Sequence, residues 1–454
     1  MMSELAYESK NIAELKPGDI GPALSFCEGY KEFLDASKTE REACEKTIAL
    51  SEAEGYVPFE RGKKYAPGDK VYYDNRKKSL ILLTMGKRPV SEGCRFNIAH
   101  IDCPRIDLKA LPLYEQDEIA YLKTHYYGGI RKYQWVAMPL SMHGVVCLKN
   151  GETVKICYGE KEDEPKFFIS DLLPHLSAKQ NDRPLKDGIK GEELNIIAGS
   201  TPLEGEEKNA YKMAALKILH DKYGMCEADF RTAEIEFVPA VKASDIGFDR
   251  MLVGGYGQDD RVCAYTAVMA AFAVKEPEYT TVTVLTDKEE IGSYGVTGMD
   301  SAYVLHFMED VCEPYGVPVR DVYRKSFCIS SDVGAAYDPT FADVFEKGNS
   351  CFLGHGPSLI KYTGARGKSG ASDASAELMG KVAAILDRDG VIWQTGELGK
   401  VDEGGGGTIA LYMASNDIDT VDLGVPVLAM HAPFEVTSKL DIYHTFLAFS
   451  AIYK

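Results

Sequence analysis

A buried strand that ends in two adjacent carboxylates places the tightest limit on how this chain can fold. In TVTVLTDKEEIGSYGVTG, residues 281–298, an apolar run rich in β-branched residues leads into Glu289 and Glu290 and then into glycines. Runs of this kind are typical of strands buried on both faces of a mostly parallel sheet. Because sites in open α/β sheets form beyond the carboxyl ends of the strands, the two glutamates predict a polar site there.

Helix and strand patterns elsewhere in the chain extend this fold class. After residue 243, the segments DDRVCAYTAVMAAFAV, KVAAILDRDG and DIYHTFLAFSAIYK have the apolar spacing of helices, whereas SFCISSD and VPVLAMH are further buried-strand patterns. KSLILLTMG and RFNIAHIDCP predict two earlier strands, and residues 1–65 predict helices that face solvent. We expect one α/β domain with a central mixed, mostly parallel sheet flanked by helices.

The middle of the chain has a different pattern and predicts a second domain. A length of 454 residues exceeds what one hydrophobic core normally serves, about 250–300 residues. Short strand-like runs dominate the middle region, and Asn150-Gly151 separates two of them as a hairpin turn would. The sequence therefore predicts a domain formed by residues 1–104 and 243–454, interrupted by a β-rich insertion of residues 105–242.

Net charge and the lack of certain segments exclude several classes of partner. The formal net charge of −18 disfavours nucleic acid and anionic membranes. No apolar run is long enough to cross a membrane, and the polar N-terminus does not resemble a signal peptide. The 11 cysteines include no C-x-x-C pair, which indicates reduced thiols, and we expect a cytoplasmic protein.

Four predicted strand ends and one helix start carry side chains that bind metals. These residues are His100, Glu289 with Glu290, Asp332 and His431 at strand ends, and Asp259 at the helix start. Carboxylates and histidines gathered at one edge of a sheet are costly unless a cation lies among them. The set suits two divalent ions that share one aspartate and keep positions open for water and substrate. Mixed nitrogen and oxygen ligands favour zinc, with cobalt or manganese as alternatives.

The adjacent residues Glu289 and Glu290 suggest two different roles, and Asp102, two residues after His100, suggests a third. One glutamate can bind metal while the other takes a proton from the attacking water, which is the general base that hydrolysis needs. In His100-Ile101-Asp102, the two-residue period of a strand puts histidine and aspartate on one face. Asp102 can then orient the imidazole of His100.

Five sequence blocks that contain these residues resemble those of one peptidase family. AHIDCPRIDLK, GQDDRVCAYTA, DKEEIGS, SSD and MHAPFE occur in this order and are similar to blocks of the aspartyl aminopeptidases, family eighteen of the metallopeptidases, in a bacterial branch. The resemblance implies a zinc-peptidase-like catalytic domain that removes N-terminal residues from peptides, acidic residues by preference.

The resemblance also implies a role for each residue in the blocks. It assigns His100 and Asp332 to one metal, Glu290 and His431 to the other, Asp259 as the bridge, Glu289 as the general base and Asp102 as the support of His100. Related metallopeptidases have a cis peptide bond after the bridging aspartate, so we expect one between Asp259 and Asp260.

Further expectations concern assembly and substrate recognition. The resemblance implies that the insertion is a dimerisation domain, that dimers build a homo-dodecamer, and that His175 reaches a neighbouring subunit's active site to donate to the oxyanion. A preference for N-terminal Asp or Glu needs a cation, and LIKYTGARGKSGASDA offers Lys361, Tyr362 and Arg366 for substrate binding.

The sequence is also compatible with two other functions. A dinuclear aminopeptidase or deacylase with a preference for neutral residues would use the same ligands. A non-catalytic oligomeric scaffold or binding shell is a more distant alternative. A phosphate-binding loop is rejected, because GARGKSG has Tyr362 where the motif requires a glycine five positions before Gly367.

Overall fold

The chain folds into two compact units. The computed structural model of the protein describes residues 5–454, so residues 1–4 of the expected catalytic domain lie outside the described residues. The first unit comprises the residues up to Asp102 together with Ala243–Met430 and Glu435–Lys454, and the second comprises Cys103–Lys242 and His431–Phe434. The α/β class expected from the sequence is confirmed, while the dimerisation role of the insertion stays a prediction.

A mixed nine-stranded sheet forms the centre of the first unit. Its strands, in the order in which they lie across the sheet, are Val57–Pro58, Lys70–Asn75, Ser79–Thr84, Thr280–Thr286, Cys94–His100, Phe327–Ser330, Asp419–Gly424, Ser358–Ile360 and Gln394–Thr395. The four strands from Thr280–Thr286 to Asp419–Gly424 are mutually parallel. Their carboxyl ends therefore lie at one edge of the sheet, which is where the polar residues follow them.

A second, five-stranded sheet belongs to the same unit. Its strands, in spatial order, are Ser244–Ile246, Leu252–Gly255, Glu435–Ser438, Pro426–Leu428 and Gly334–Ala335. The prediction that VPVLAMH belongs to the parallel sheet is wrong, because Pro426–Leu428 pairs antiparallel with Glu435–Ser438 in this second sheet. The chain leaves the central sheet at Gly424, just before this strand begins.

Gly424 is the point of closest backbone approach in this region. A β-carbon added at Gly424 would lie 1.6 Å from the carbonyl oxygen of Asp332. Only glycine fits against that carbonyl, so the strand end at Gly424 presses directly on the backbone that carries Asp332.

Helices surround both sheets of the first unit. The helices are Ile12–Leu15, Ile20–Ala36, Glu40–Ala53, Gln258–Ala273, Tyr303–Cys312, Val319–Tyr323, Ala376–Arg388, Ala410–Ala414 and Lys439–Tyr453. Gln258–Ala273 is the most deeply buried of these, with nearly every side chain in the interior. None of the helices in residues 5–454 is long and apolar enough to cross a membrane.

The prediction that the N-terminal helices face solvent is wrong. Helix Ile20–Ala36 buries Cys27, Tyr30, Phe33 and Leu34, which pack into the core of the first unit. These residues recur at helical spacing, so they form one apolar stripe that the composition of the segment as a whole conceals.

The N-terminal helical pattern also contains a break between two helices, which the apolar spacing does not indicate. The side chain of Thr39 accepts a hydrogen bond from the backbone N–H of Glu42 at 3.2 Å and so caps a second helix, Glu40–Ala53. The apolar spacing continues across this cap, so periodicity alone does not show where the first of the two helices ends.

The second unit is an antiparallel β structure with two helices. Its strands, in spatial order, are Ala233–Pro239, Arg105–Gln116, Ile119–Tyr127, Ile196–Gly199, Phe167–Ile169, Pro139–Cys147 and Thr153–Tyr158. Ala233–Pro239 also pairs with Pro139–Cys147, so six of these strands close into a ring. The helices are Ala178–Asn181 and Ala210–Tyr223. The hairpin predicted at Asn150-Gly151 is confirmed, because Pro139–Cys147 pairs antiparallel with Thr153–Tyr158 across it.

Candidate active site

His100 is the last residue of a central strand and is buried. Its Nδ1 lies 3.0 Å from the backbone carbonyl oxygen of Asp102. A carbonyl only accepts, so Nδ1 carries a proton, and in the neutral imidazole Nε2 has the lone pair that faces the interior of the site. That Nε2 lies 3.0 Å from Oδ1 of Asp259 and 3.7 Å from Oδ1 of Asp332.

Asp102 holds the segment that carries the paired glutamates. Its buried carboxylate accepts the backbone N–H of Glu289 at 3.1 Å and that of Glu290 at 3.2 Å. The strand Thr280–Thr286 ends before the glutamates, which lie in a short 3₁₀ turn, Glu289–Ile291. Asp102 was expected to orient His100 through its side chain, yet the shorter contact to the imidazole comes from its carbonyl oxygen, and its carboxylate fixes the turn.

The predicted bridging aspartate lies at the start of the buried helix. Asp259 has non-helical backbone angles there, and the peptide bond between Asp259 and Asp260 is cis, as the family resemblance predicts. The backbone N–H of Asp259 donates to Oε2 of Glu435 at 3.1 Å. Glu435 is buried in strand Glu435–Ser438, so this contact ties the helix start to the second sheet.

Two groups of ligand atoms lie close together at this edge of the central sheet. One contains His100, Asp259 and Glu290, and the other contains His100, Asp260 and Asp332. Within each group the ligand atoms all lie within 4.8 Å of one another. Four of the five predicted metal ligands therefore converge, and Asp260 joins them.

The donor set fits a divalent cation. Nε2 of His100 and Oδ1 of Asp259 are 3.0 Å apart, although both are acceptors when the imidazole is neutral. Both carboxylate oxygens of Asp260 are buried and make no hydrogen bond within residues 5–454. Buried acceptors that face one another in this way are costly unless a proton or a metal ion lies between them.

The pKa values of the buried carboxyl groups at this edge of the sheet also favour a bound cation. Burial raises the pKa of Asp260 well above its usual value, and burial also raises the pKa of Asp332. Burial raises the pKa of Glu289 to about 8. Each shift means that the chain itself supplies too little positive charge for these carboxylates, which is the condition that a bound cation relieves.

His431 is the predicted ligand that belongs, by its contacts, to the second unit. Its Nδ1 lies 2.8 Å from the carbonyl oxygen of Gly129, so Nδ1 carries the proton and Nε2 retains a lone pair. His431 is in neither of the two groups of ligand atoms, and its role as a ligand stays a prediction.

His175, the predicted oxyanion donor, also lies in the second unit. It occupies the 3₁₀ turn Pro174–Leu176 and is exposed, as are Leu172, Leu173 and Leu176 around it. Its predicted action on a neighbouring subunit stays a prediction.

The predicted substrate-binding residues lie in a charged loop of the first unit. Lys361 and Lys368 both form ion pairs with Oδ1 of Asp373, at 2.5 and 3.3 Å. The hydroxyl of Tyr362 donates to Oε1 of Glu397 at 2.6 Å. Arg366 is exposed at the tip of a turn that backbone hydrogen bonds close around it. Within this loop the charge of Lys361 is therefore already paired.

Two acidic residues of the site were not predicted from the sequence. Asp260 was named only for its peptide bond, although its carboxylate lies with His100 and Asp332. Glu435 is the last residue of the quoted block MHAPFE, and it accepts the N–H of Asp259. The position of Asp260 directly after the predicted ligand Asp259 was an available signal, whereas no local signal marked Glu435.

Known proteins resemble this chain over nearly its whole length. The family model described as Aminopeptidase I zinc metalloprotease (M18) matches residues 33–453. The probable M18 family aminopeptidase 1 of Clostridium acetobutylicum is 48% identical over 454 residues, which cover 98% of this chain and 96% of the relative.

Solved structures agree with this match. The crystal structure of the M18-family aminopeptidase of Thermotoga maritima has a TM-score of 0.95 at 41% identity, covering 99% of this chain and 100% of that one. The S. cerevisiae mApe1 dodecamer has a TM-score of 0.76 at 18% identity, covering 96% of each chain, and shows a shared fold alone. The matched family and its relatives establish that this chain belongs to the M18 family of zinc metallopeptidases, hydrolases that act on the N-termini of peptides.

Proposed function

We propose that this enzyme removes N-terminal residues, with a preference for Asp and Glu, by attack of water at a centre of two zinc ions. The observation that carries the proposal is the convergence of His100, Asp259, Glu290 and Asp332 at one edge of the central sheet. His100 and Asp332 would hold one ion, Glu290 and His431 would hold the other, and Asp259 would serve both. Bound zinc would polarise the scissile carbonyl and lower the pKa of the attacking water.

Glu289 is the proposed general base. It adjoins the ligand Glu290, and the Asp102 carboxylate fixes the backbone of both residues. The carboxylate of Glu289 takes the proton from the attacking water and then gives it to the leaving amine, as one group does in both half-steps of peptide hydrolysis. Burial raises the pKa of Glu289 to about 8 in the metal-free chain, and zinc bound beside it would lower this pKa again, so that the carboxylate could accept the proton near neutral pH.

Substrate recognition is assigned to the loop around Lys361 and Arg366. The side-chain carboxylate of an N-terminal Asp or Glu would pair with a cation of this loop. Tyr362, held by Glu397, would support that pairing at the same place. The ion pair between Lys361 and Asp373 favours the second candidate, an aminopeptidase with a preference for neutral residues, because it uses up the charge of Lys361.

The proposed assembly is a homo-dodecamer built from dimers. The chain shares its fold with the S. cerevisiae mApe1 dodecamer, and this likeness supports the proposal together with the family resemblance of the blocks. Exposed Leu172, Leu173 and Leu176 beside His175 supply apolar surface that a subunit contact would cover.

A substrate panel tests the proposed function. We would measure kcat/KM for Asp-, Glu- and Leu-anilides with zinc, cobalt or manganese added, and count bound metal per chain. An acidic preference of about tenfold and two ions per chain are expected. A higher kcat/KM for the Leu-anilide would establish the neutral-residue candidate instead. N-acetylated Asp-anilide is the matched control, and its cleavage would contradict an aminopeptidase.

A further inference from the structure

The loop that carries Glu289 also presents apolar side chains to solvent. Ile291, Tyr294 and Val296 are 49, 68 and 56% exposed. They follow Glu289 and Glu290 directly in the chain. Exposed apolar groups are common singly, but three within six residues beside a candidate active site form a surface that is costly to leave in water.

Hydrogen bonds close this loop at its base. The backbone N–H of Asp287 donates to the carbonyl of Thr297 at 3.2 Å, and the hydroxyl of Thr297 donates to Oδ2 of Asp287 at 2.6 Å. The N–H of Ser293 donates to the carbonyl of Lys288 at 2.7 Å, next to Glu289. The turn that follows the general base is therefore folded back on it.

Side chains from other elements hold the rest of the loop. The hydroxyl of Tyr412 donates to the carbonyl of Gly292 at 2.9 Å, and Nδ2 of Asn75 donates to the carbonyl of Val296 at 3.1 Å. Together with the bonds from Asp102 to the two glutamates, these contacts fix the loop against its surroundings. Its apolar side chains are thus presented by an ordered backbone, as in a preformed binding surface.

The chemistry of Glu289 identifies what this surface faces. In the proposed function, Glu289 returns its proton to the leaving amine, and that amine is the backbone nitrogen of the substrate's second residue. Proton transfer requires Glu289 to lie within hydrogen-bond reach of this nitrogen. Ile291 and Tyr294 follow Glu289 on the same closed loop, which makes them the nearest exposed apolar side chains in the chain to the group that acts on this nitrogen.

We propose that Ile291 and Tyr294 form an apolar subsite for the second residue of the peptide substrate and give this enzyme a preference for large apolar residues there. The inference rests on the proposed function, because it requires Glu289 to act on the leaving amine. The occupant is a leucine- or phenylalanine-like side chain, whose burial against Tyr294 removes apolar surface of both groups from water.

The test compares peptides that differ only in their second residue. Wild type and Tyr294→Ser would be assayed on Asp-Leu-Gly, Asp-Phe-Gly, Asp-Gly-Gly and Asp-Lys-Gly. Wild type is expected to prefer Leu and Phe over Gly and Lys by about tenfold in kcat/KM, the usual discrimination of an apolar pocket. Tyr294→Ser and Ile291→Ser are each expected to reduce that ratio by about fivefold.

Matched variants control for loss of the ring and for general surface effects. Tyr294→Phe keeps the aromatic ring and is expected to retain the wild-type ratio. Phe248→Ser removes another aromatic side chain of the same unit that is fully exposed, and it is expected to retain the ratio as well. Sedimentation velocity on each variant reports the oligomeric state.

Four results would overturn the inference, and the last of them would overturn the proposed function as well. An unchanged ratio in both serine variants removes the subsite. Dissociation of the oligomer in Tyr294→Ser with an unchanged ratio makes the loop a subunit contact instead. Wild type that cleaves all four peptides equally overturns the subsite alone, whereas wild type that releases no N-terminal residue from any peptide overturns the proposed function too.

Discussion

Carboxylates of the first unit lie in two contrasting environments. Asp245 receives hydrogen bonds at 2.8 Å from Lys31 and Lys439 on one oxygen and from Arg250 on the other. Burial would raise the pKa of Asp245, but these three cations hold it well below its usual range. At the edge of the central sheet, the carboxylates of Asp260 and Asp332 lie beside His100, and burial raises the pKa of both.

The contrast separates structural charge from functional charge. Asp245 is neutralised by side chains of its own chain, so it is complete without a ligand. Asp260 and Asp332 instead have raised pKa values beside His100, as expected of carboxylates that a bound cation would neutralise. A raised pKa alone does not mark such a site, because burial also raises the pKa of Asp441, to about 8, and Asp441 belongs to neither group of ligand atoms. The sign of a metal centre is a raised pKa among several possible ligands.

Replacing the proposed base gives the largest expected effect on the functional side of this contrast. Glu289→Gln keeps the shape of the side chain but cannot accept the proton of the attacking water. We expect kcat to fall by about a thousandfold while zinc content is unchanged. Steady-state kinetics and metal analysis on the purified variant measure both quantities. Full turnover in Glu289→Gln would assign the base elsewhere, and a loss of zinc would make Glu289 a ligand.

Neutralising one carboxylate from each environment should shift stability in opposite directions. Asp245→Asn leaves Lys439, a fully buried lysine, without its charged partner, and the free energy of unfolding should fall by about 3 kcal/mol. Asp260→Asn removes a buried carboxylate that repels its neighbours, so the metal-free protein should gain about 1 kcal/mol.

Urea denaturation in the presence of a chelator measures both variants under the same conditions. Added zinc should stabilise the wild type more than Asp260→Asn, since that variant has lost one charge that attracts the ion. Shifts of the same sign in the two metal-free variants would contradict the distinction between the two environments.

The two environments also predict opposite dependences on pH. Glu289 has an ordinary pKa of 4.5 and one of about 8 in the folded chain, so between these values the folded state binds a proton that the unfolded state releases. The stability of the metal-free protein should therefore fall as pH rises through this range. Asp245 has a lowered pKa, so its contribution is present above about pH 4 and is lost as pH falls further.

Denaturation curves across this pH range, with and without zinc, measure the slope of the free energy of unfolding against pH. Glu289→Gln should reduce the slope of the metal-free protein, and zinc should reduce it in the wild type. A metal-free protein whose stability rises steadily from pH 4.5 to 8 would show that the raised pKa of Glu289 is wrong.

The smallest expected effect separates the two cations of the substrate loop. Lys361 is already paired with Asp373, whereas Arg366 stands outside the ion pairs of that residue at an exposed turn. Arg366→Met should raise KM for the Asp-anilide by about tenfold, and Lys361→Met should raise it less. The Leu-anilide is the control for both variants. A larger effect of Lys361→Met would reassign the recognition of the acidic side chain to the lysine.

The sequence predicted which candidate ligands lie close together better than it predicted which sheet each strand joins. Strand and helix periodicity indicates where an element ends, and a residue that can bind metal stands near each of these ends. The sequence therefore predicted that four side chains would lie together: those of His100, Asp259, Glu290 and Asp332. Glu435 was missed because it acts through the backbone N–H of Asp259, a contact that depends on how two distant segments pack.

Packing likewise explains the errors in the fold. VPVLAMH has the composition of a buried strand, but composition does not specify which of two sheets receives it. Helix Ile20–Ala36 has apolar residues at helical spacing, but this spacing alone does not show that the helix packs into the core. Local patterns predicted the elements, while long-range contacts decided their neighbours.

Asp102 links two properties that are usually independent. Its carbonyl oxygen orients His100, and its carboxylate positions the backbone of Glu289 and Glu290. Under the proposed function, affinity for the metal and the rate of proton transfer would therefore both depend on the placement of a single residue. Among natural or engineered variants at this position, the two quantities should covary, and neither could be tuned without a cost to the other.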